Sequence, residues 1–215
     1  KSFMAGNSGT QMGGWFLKEI KSIDDFKGLK MRIPGLAGEV LSRLGGTPVA
    51  LPGGEIMPSL QSGAIDATEW VGPWNDLAFG FYKITKFYYG PGFHEPSSCL
   101  ECSINLDAYN SLDNDLKSII KTACEAENNR MISEFTAANI EAQKKLVEQH
   151  NVLIRNFPQD VFNLMLKLSK EVVSETASEG KINKEIYNSW ESFKNNARLR
   201  SPFDEHGYTN LSSKG

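Results

Sequence analysis

Short apolar runs alternate with helix-like segments through the first third of the chain. Residues 38–44 place their apolar side chains on one helical face, and a second helix is predicted to start at Pro58 and to end at Gly63. Three runs around these segments have the length and apolar character of strands, at residues 29–33, 47–51 and 65–70. Strand, helix, strand, helix and strand in this order predict a parallel α/β sheet.

The second half of the chain follows a helical period instead. Residues 113–149 form an amphipathic run, and a helix of that length measures about 55 Å, so we expect it to span two lobes. Its predicted apolar face consists of Leu116, Ile119, Ile120, Ala123, Met131, Phe135, Ala138, Ala142 and Leu146. An extended stretch at 87–106 precedes it, and the polar tail from residue 200 is expected to be loose. Between the long helix and the tail, the pattern predicts a short strand and two helices, at 152–154, 158–178 and 183–198.

Composition and charge limit the classes of partner. The chain has 215 residues, of which 40% are hydrophobic and 23% are charged, and its net charge is -3. Lys and Arg are spread along the sequence, which argues against nucleic acid or an anionic membrane surface as the main partner. No apolar run is long enough to span a bilayer. The N-terminus does not resemble a signal peptide, although a mature or truncated chain would also lack one.

The three cysteines, Cys99, Cys102 and Cys124, are predicted to be structural. Cys99 and Cys102 have the spacing of a redox pair, but they lie in a strand-like segment. Residues three apart on a strand face opposite sides, so this pair is hard to close. A metal site would need further ligands, and only His94 lies nearby in the sequence.

The segment from Gly63 to Asp76 is the strongest candidate for a binding site. An apolar run ends in Glu69 and Trp70, and in α/β proteins ligands bind where strands end. An indole beside a carboxylate suits a small polar ligand, because the ring forms a wall and the carboxylate binds a cation or a hydroxyl. The alternative is a well-packed strand end without a ligand.

Arg32 and Gln11 could contribute to the same site. Arg32 lies at a strand end, where its guanidinium could bind a ligand carboxylate or form a structural ion pair with Glu39 or Glu55. The side-chain oxygen of Gln11, which follows a Gly-Ser turn, could ligate sodium or calcium. Glu69 is the charged partner expected for such a cation.

Glu95 lies in a loop stiffened by prolines, beside His94. The sequence contains no nucleophile elbow, zinc-protease helix or phosphate-binding loop. The three histidines, His94, His150 and His206, are therefore predicted to be surface or structural residues. Without an acid–base constellation, a binding protein is favoured over an enzyme.

Four segments, taken in order and spacing, resemble one family. GNSGTQMGGWF, LKMRIPG, LPGGEIMPSLQSGAIDATEWVGPWNDLAFGFYK and FYYGPGFHEP are similar to the DctP-type substrate-binding proteins of TRAP transporters, closest to the branch that binds 2-oxo acids and lactate. The similarity is strongest from Gly6 to Pro96 and extends over most of the chain. The combined motif is specific, whereas the C-terminal helices match mainly in pattern.

The resemblance implies roles for individual residues. The arginine that pairs with the ligand carboxylate in the family corresponds to Arg32. The bridging cation, sodium or calcium, is held in the 2-oxo acid branch by residues that correspond to the side chains of Gln11 and Glu69 and to the carbonyl of Trp70. An acidic residue that contacts substrate corresponds to Glu95. Weaker candidates for the pocket wall are Asn7, Trp74 and Phe93.

The resemblance also implies an organisation. It predicts a two-lobe, type II periplasmic-binding-protein-like α/β fold with crossing strands and a long lobe-spanning helix. Residues 1–95 are expected to be mostly an α/β lobe with the ligand site, and residues 96–215 to supply a crossing strand, the long connecting helix and the C-terminal helices. Because relatives are longer, this chain is expected to correspond to their C-terminal two-thirds, with the N-terminal part of one lobe absent.

The implied function is capture of a small monocarboxylate in the periplasm and its delivery to the membrane subunits of a TRAP permease. A homodimer is possible. Two alternatives remain open: a hydrolase or lyase that acts on a carboxylate with Glu69 or Glu95 as base, and a sensor or scaffold lobe without a small ligand.

Overall fold

The computed structural model describes residues 1–213, which divide into two compact units at Leu168 and Ser169. The first unit contains both sheets, and the second contains the C-terminal helices. The strands are β1 Ser2–Asn7, β2 Gly14–Phe16, β3 Lys30–Arg32, β4 Thr47–Val49, β5 Ala67–Thr68, β6 Phe87–Tyr89, β7 Cys99–Ser103 and β8 Leu153–Arg155. The α-helices are α1 Gly35–Arg43, α2 Gly53–Ser62, α3 Pro73–Phe79, α4 Leu106–Ser111, α5 Asn114–Glu148, α6 Gln159–Ser178, α7 Lys181–Arg200 and α8 Glu205–Ser212.

The main sheet has the order β4-β3-β5-β2-β6-β8. Strand β3 runs parallel to both β4 and β5, so the predicted parallel sheet is confirmed for these three strands. Strand β2 is antiparallel to both of its neighbours, β5 and β6. The parallel strands therefore present their carboxyl ends, with Arg32 and Thr68, at one edge of the sheet.

A separate two-stranded sheet is formed by β1 and β7, which pair antiparallel with a register shift between Met4 and Gly6. The extended character predicted for residues 87–106 is confirmed in β6 and β7.

The core of the first unit lies between the main sheet and the helices packed on it. Trp15 and Tyr88 are fully buried and stack with their ring centroids 3.9 Å apart. Apolar side chains from α2, from the turn at Phe81 and from the end of α5 surround them. Burial of this aromatic and aliphatic surface is the main favourable term for folding of the unit.

Helix α2 begins earlier than predicted. Pro58 lies inside the helix rather than at its first turn, and the helix starts at Gly53 after Pro52. Gly63 adopts a left-handed conformation with φ of 73° and ends the helix as predicted.

Two short helices were missed, although the sequence carries their signals. Helix α3 has Pro73 in its first turn and is followed by left-handed Gly80. Helix α4 is capped by Asn105, whose side chain accepts two backbone N–H groups.

The prediction of a loose tail was wrong within the described residues. The side chain of Asp204 accepts a hydrogen bond from the backbone N–H of His206 and caps helix α8. The two helices predicted before the tail are confirmed as α6 and α7.

The long helix is confirmed as α5, within one residue of each predicted end. Its apolar face is buried mainly toward the C-terminal end, at Ala142 and Leu146, whereas Leu116 and Ile119 are exposed. Within residues 1–213, no helix combines the length and apolarity needed to cross a membrane.

Candidate functional site

Arg32 and Glu69 meet at the carboxyl-terminal edge of the parallel strands. Arg32 is the last residue of β3, and Glu69 follows β5 directly. The backbone N–H of Glu69 donates to the carbonyl oxygen of Arg32 at 3.2 Å, which fixes the two residues side by side. This position matches the place where open α/β sheets bind ligands.

The two side chains form a buried ion pair. The Arg32 guanidinium donates through Nη1 to Oε1 of Glu69, and the exposed fractions of the two side chains are only 11% and 4%. Arg32 also donates through Nε to the carbonyl oxygen of Leu51 at 3.2 Å. The structural partners suggested by the sequence, Glu39 and Glu55, were wrong, since Arg32 pairs with Glu69, and Glu39 pairs with Arg43. The pair of Arg32 and Glu69 offsets part of the desolvation that a lone buried carboxylate would suffer.

His94 contacts the other oxygen of the same carboxylate. Its Nε2 lies 3.3 Å from Oε2 of Glu69, and its side chain is only 2% exposed. A His ring nitrogen at this distance can donate a hydrogen bond to a carboxylate oxygen. Nδ1 is buried and has no hydrogen-bond partner among the described residues. The side chain of His94 is thus buried against Glu69 rather than on the surface.

Gln11 is held by its amide nitrogen, while its oxygen has no partner. Nε2 donates to the hydroxyl of Ser98 at 2.6 Å and reaches that of Ser8 at 3.4 Å. Oε1 is buried without a hydrogen-bond partner among the described residues. A buried acceptor in this state fits a hard cation, which prefers oxygen ligands. Within residues 1–213, no three His, Cys, Asp or Glu side chains are grouped to hold a metal, so a cation here would depend on amide and carbonyl oxygens besides Glu69.

The backbone brings Gln11 close to the strand end that carries Glu69. The N–H of Met12 donates to the carbonyl oxygen of Val71 at 3.0 Å. On its other side, the hydroxyl of Ser98 donates to Oε2 of Glu95 at 3.1 Å, which links Gln11 to that carboxylate.

Asp76 fixes the loop that follows β5. Its Oδ2 accepts from the indole N–H of Trp15 at 2.8 Å and from the hydroxyl of Tyr88 at 2.7 Å. Its Oδ1 accepts from the backbone N–H groups of Val71 and Gly72, both at 3.1 Å. Four donors thus converge on one carboxylate that is almost completely buried. Sequence reasoning missed this residue, because nothing local shows that distant aromatic donors converge on it.

The Trp70 indole lies beside the ion pair. The Arg32 guanidinium carbon is 5.2 Å from the centroid of this ring, within the range of a cation–π contact. The ring packs on Phe79 at 4.7 Å and against Gly53, where a Cβ would lie only 2.9 Å from Trp70 Cη2. Gly53 therefore permits the close approach that holds the indole in place.

The remaining predicted site residues lie in two places. Asn7 accepts through Oδ1 from the hydroxyl of Ser97 at 2.9 Å, on the same loop as Glu95. Phe93 packs edge-on against His94, with ring centroids 5.2 Å apart. Trp74 instead packs on the long helix, with its ring 5.0 Å from that of Phe135. The structure thus gathers the other predicted residues around one region and gives Trp74 contacts with α5.

Comparison with known proteins identifies what the chain is similar to. The family described as bacterial extracellular solute-binding protein, family 7, matches residues 2–180. A monocarboxylate 2-oxoacid-binding periplasmic protein of Nostoc sp. is 43% identical over 212 residues, which are 99% of this chain and 58% of that protein.

Two solved structures share the fold closely. A TRAP periplasmic solute-binding protein from Pseudoalteromonas atlantica, with bound sodium and pyruvate, is 42% identical with a TM-score of 0.91 over 97% of this chain and 64% of that chain. One from Bordetella bronchiseptica, a mixed-occupancy dimer with copurified calcium and picolinate, is 35% identical with a TM-score of 0.94 over 99% of this chain and 63% of that chain. These structures confirm the predicted fold class. The chain spans less than two-thirds of the length of each of these relatives.

Proposed function

The chain belongs to the bacterial extracellular solute-binding proteins of family 7, and on that basis we propose that it captures a small monocarboxylate together with a bridging cation. The substrate class is the 2-oxo or 2-hydroxy acids. The proposed location is the periplasm, and the proposed recipient is a TRAP-type membrane permease. Membership in this family of binding proteins also argues against the alternative of a hydrolase or lyase.

The observation that carries the proposal is the buried pair of Arg32 and Glu69 beside the partnerless oxygen of Gln11. The pair has no net charge. A carboxylate ligand that binds Arg32 adds one negative charge to a region screened from water, where uncompensated charge is costly. A cation held by Glu69 and Gln11 offsets this negative charge. Ligand and cation should therefore bind together.

Under this proposal each residue has a distinct task. Arg32 binds the ligand carboxylate, since a guanidinium matches its two oxygens. Glu69, the amide oxygen of Gln11 and the backbone carbonyl of Trp70 hold sodium or calcium, which take oxygen ligands. Glu95 contacts the substrate. Asn7 and Phe93 form parts of the pocket wall, whereas Trp74, which packs on Phe135 of α5, is left out of this proposal.

The ligands of the similar structures support a chelating substrate. Pyruvate, bound with sodium in one, has a carbonyl oxygen next to its carboxylate. Picolinate, bound with calcium in the other, has a ring nitrogen in the equivalent place. Both molecules offer a cation two donors at once, and lactate offers a hydroxyl there instead. The shared chemistry is a carboxylate with a donor on the adjacent carbon.

Glu69→Gln tests the coupling between ligand and cation. We expect this substitution to weaken pyruvate binding and cation binding together, by about 10-fold or more each, because it removes the only charged side chain proposed to ligate the cation. Isothermal titration of pyruvate with and without sodium or calcium measures both effects. Glu55→Gln is the matched control, since Glu55 is exposed on α2.

Native mass spectrometry of the purified protein further distinguishes a binding protein from an enzyme and from a sensor or scaffold. A small acid and a cation that are lost together on denaturation would support the proposal. If pyruvate affinity in the wild-type protein is the same with and without cation, a bridging ion is ruled out. Conversion of the acid to a product would favour the enzyme alternative, and no bound acid of any kind would favour a sensor or scaffold.

We further propose that a second copy of the chain binds along α7. This helix exposes large apolar side chains at intervals of four, four and three residues, on one helical face: Ile182, Ile186, Trp190 and Phe193. The similar protein from Bordetella bronchiseptica is described as a dimer. A self-complementary apolar stripe of this kind suits a two-fold interface.

Light scattering after gel filtration tests the dimer. We expect the wild-type protein to be dimeric and the double substitution Ile186→Glu and Phe193→Glu to shift it to monomers, because buried carboxylates would be placed opposite an apolar partner. Lys184→Glu is the control, since Lys184 lies on the opposite face of the helix and is exposed. A monomeric wild-type protein at micromolar concentration would refute the interface.

A further inference from the structure

Two cysteines from separate elements meet inside the first unit. Cys102 lies in β7 and Cys124 lies in α5. The Cys102 thiol lies close enough to Cys124 to contribute to raising the pKa of the Cys124 thiol. Cys124 is buried and Cys102 is half-buried, and both are free thiols in this structure.

The strand pairing supports this juxtaposition independently. Gly6 in β1 pairs with Leu100 in β7, and paired residues share one face of the sheet. A Cβ added to Gly6 would lie 2.6 Å from Sδ of Met131 in α5, so this face rests against the helix. Cys102 follows Leu100 by two positions and lies on the same face of the strand. Cys124 precedes Met131 by two helical turns and lies on the same face of the helix.

We propose that Cys102 and Cys124 form a disulfide bond in the extracellular protein, which ties strand β7 to helix α5. The family is described as extracellular, and oxidising compartments outside the cytoplasm preserve disulfides. The inference depends on that location and not on the identity of the ligand.

The bond forms by two thiol–disulfide exchanges with a protein or small-molecule disulfide as the oxidant. The Cys102 thiolate attacks the oxidant, forms a mixed disulfide and releases one half of the oxidant as a thiol. The Cys124 thiolate then attacks the Cys102 sulfur and releases the other half. Two protons and two electrons pass from the cysteines to the oxidant, whose two halves leave as thiols.

The order of attack follows from the environments of the two sulfurs. Cys102 is more accessible, so the oxidant reaches it first. Burial raises the pKa of the Cys124 thiol, which makes Cys124 slow to react with an external oxidant. It is well placed to resolve a mixed disulfide that already lies beside it.

Cys99 serves as an internal control for this pairing. It is exposed and lies three positions before Cys102 on the strand, so it faces the other side. Within the described residues, no cluster of Cys, His, Asp and Glu side chains competes for the pair by binding a metal.

Alkylation and peptide mapping test the proposal. For this test the protein is expressed with export to the periplasm, purified without reductant, denatured and alkylated. We expect one alkylated cysteine, Cys99, and a peptide pair linked through Cys102 and Cys124; prior reduction should make all three cysteines reactive. Three alkylated cysteines without reduction, or a link that includes Cys99, would overturn the inference.

Two substitutions sharpen the assignment. Cys99→Ser should leave the linked peptides unchanged and remove the remaining reactive thiol. Cys124→Ser should free Cys102 for alkylation. Persistent protection of Cys102 in the folded-then-denatured Cys124→Ser protein would assign Cys102 a different partner and contradict the pairing. The wild-type map decides the matter if that variant folds poorly.

Discussion

Arg32→Ala should abolish measurable carboxylate binding and lower the stability of the ligand-free protein at the same time. Loss of the guanidinium removes charge-assisted hydrogen bonds to the ligand that contribute about 1.5–3 kcal/mol each, so affinity should fall at least about 100-fold. It also leaves Glu69 as a buried charge without its main partner. Removal of one member of a buried pair costs about 3–5 kcal/mol. Calorimetric titration with pyruvate and urea unfolding measure the two effects separately.

A double substitution separates the two roles of Arg32. Arg32→Ala combined with Glu69→Gln removes both charges of the pair and leaves neither one unpaired, so much of the lost stability should return while binding stays absent. Arg130→Ala is the surface control, because Arg130 is 70% exposed and its ion pairs on α5 contribute little. If Arg32→Ala retains wild-type affinity, the assignment of the carboxylate site is wrong.

Asp76→Ala should be the most destabilising single substitution among the polar residues of the site. The substitution leaves four buried donors without acceptors, namely the indole N–H of Trp15, the hydroxyl of Tyr88 and two backbone N–H groups. A buried donor left unsatisfied costs about 1–3 kcal/mol, so the total loss should exceed about 4 kcal/mol. Urea unfolding of the variant, compared with the exposed control Asp24→Ala, measures it. A loss as small as that of Asp24→Ala would contradict the role given to this carboxylate.

The titration of Asp76 supplies an independent readout. Burial raises its pKa to about 6 from an ordinary 3.8, although the donors to its oxygens oppose the shift. The folded state therefore binds this proton more tightly than the unfolded chain does. The resulting stabilisation is complete below 3.8 and is lost as the pH rises through about 6. Relative to Asp76→Asn, the wild-type protein should thus gain up to about 3 kcal/mol on acidification from neutral pH.

The hydrophobic pattern of the sequence predicted those helices and strands whose formation depends mainly on their own residues. The long helix α5 was found because its apolar steps continue for more than thirty residues within the 35-residue element. The parallel strands β3, β4 and β5 were found because the short apolar runs of β3 and β4 end at Pro and Gly, and that of β5 follows Gly63. Helices α3 and α8 were missed, although Pro73 and Asp204 are typical residues for a helix N-terminus. Both helices are short and weakly periodic.

The site was predictable in its residue types and less so in its connections. Glu69 and Arg32 were singled out by their places at strand ends, but they are far apart in the sequence, and their pairing follows only from the strand order. The same applies to His94, whose burial depends on a loop that folds back onto Glu69. Asp76 was overlooked because its donors come from two distant strands. Contacts of this kind arise from topology, which single-sequence patterns constrain weakly.

The ion pair of Arg32 and Glu69 has a kinetic consequence for transport. Under the proposed function Glu69 is an internal competitor, because the ligand carboxylate must displace it from Arg32 before binding. When the cation dissociates, Glu69 loses its other counter-ion and pairs with Arg32 again. This pairing displaces the carboxylate of the bound acid. Departure of the ion would thereby trigger unloading, and a tightly held solute could still be handed over quickly.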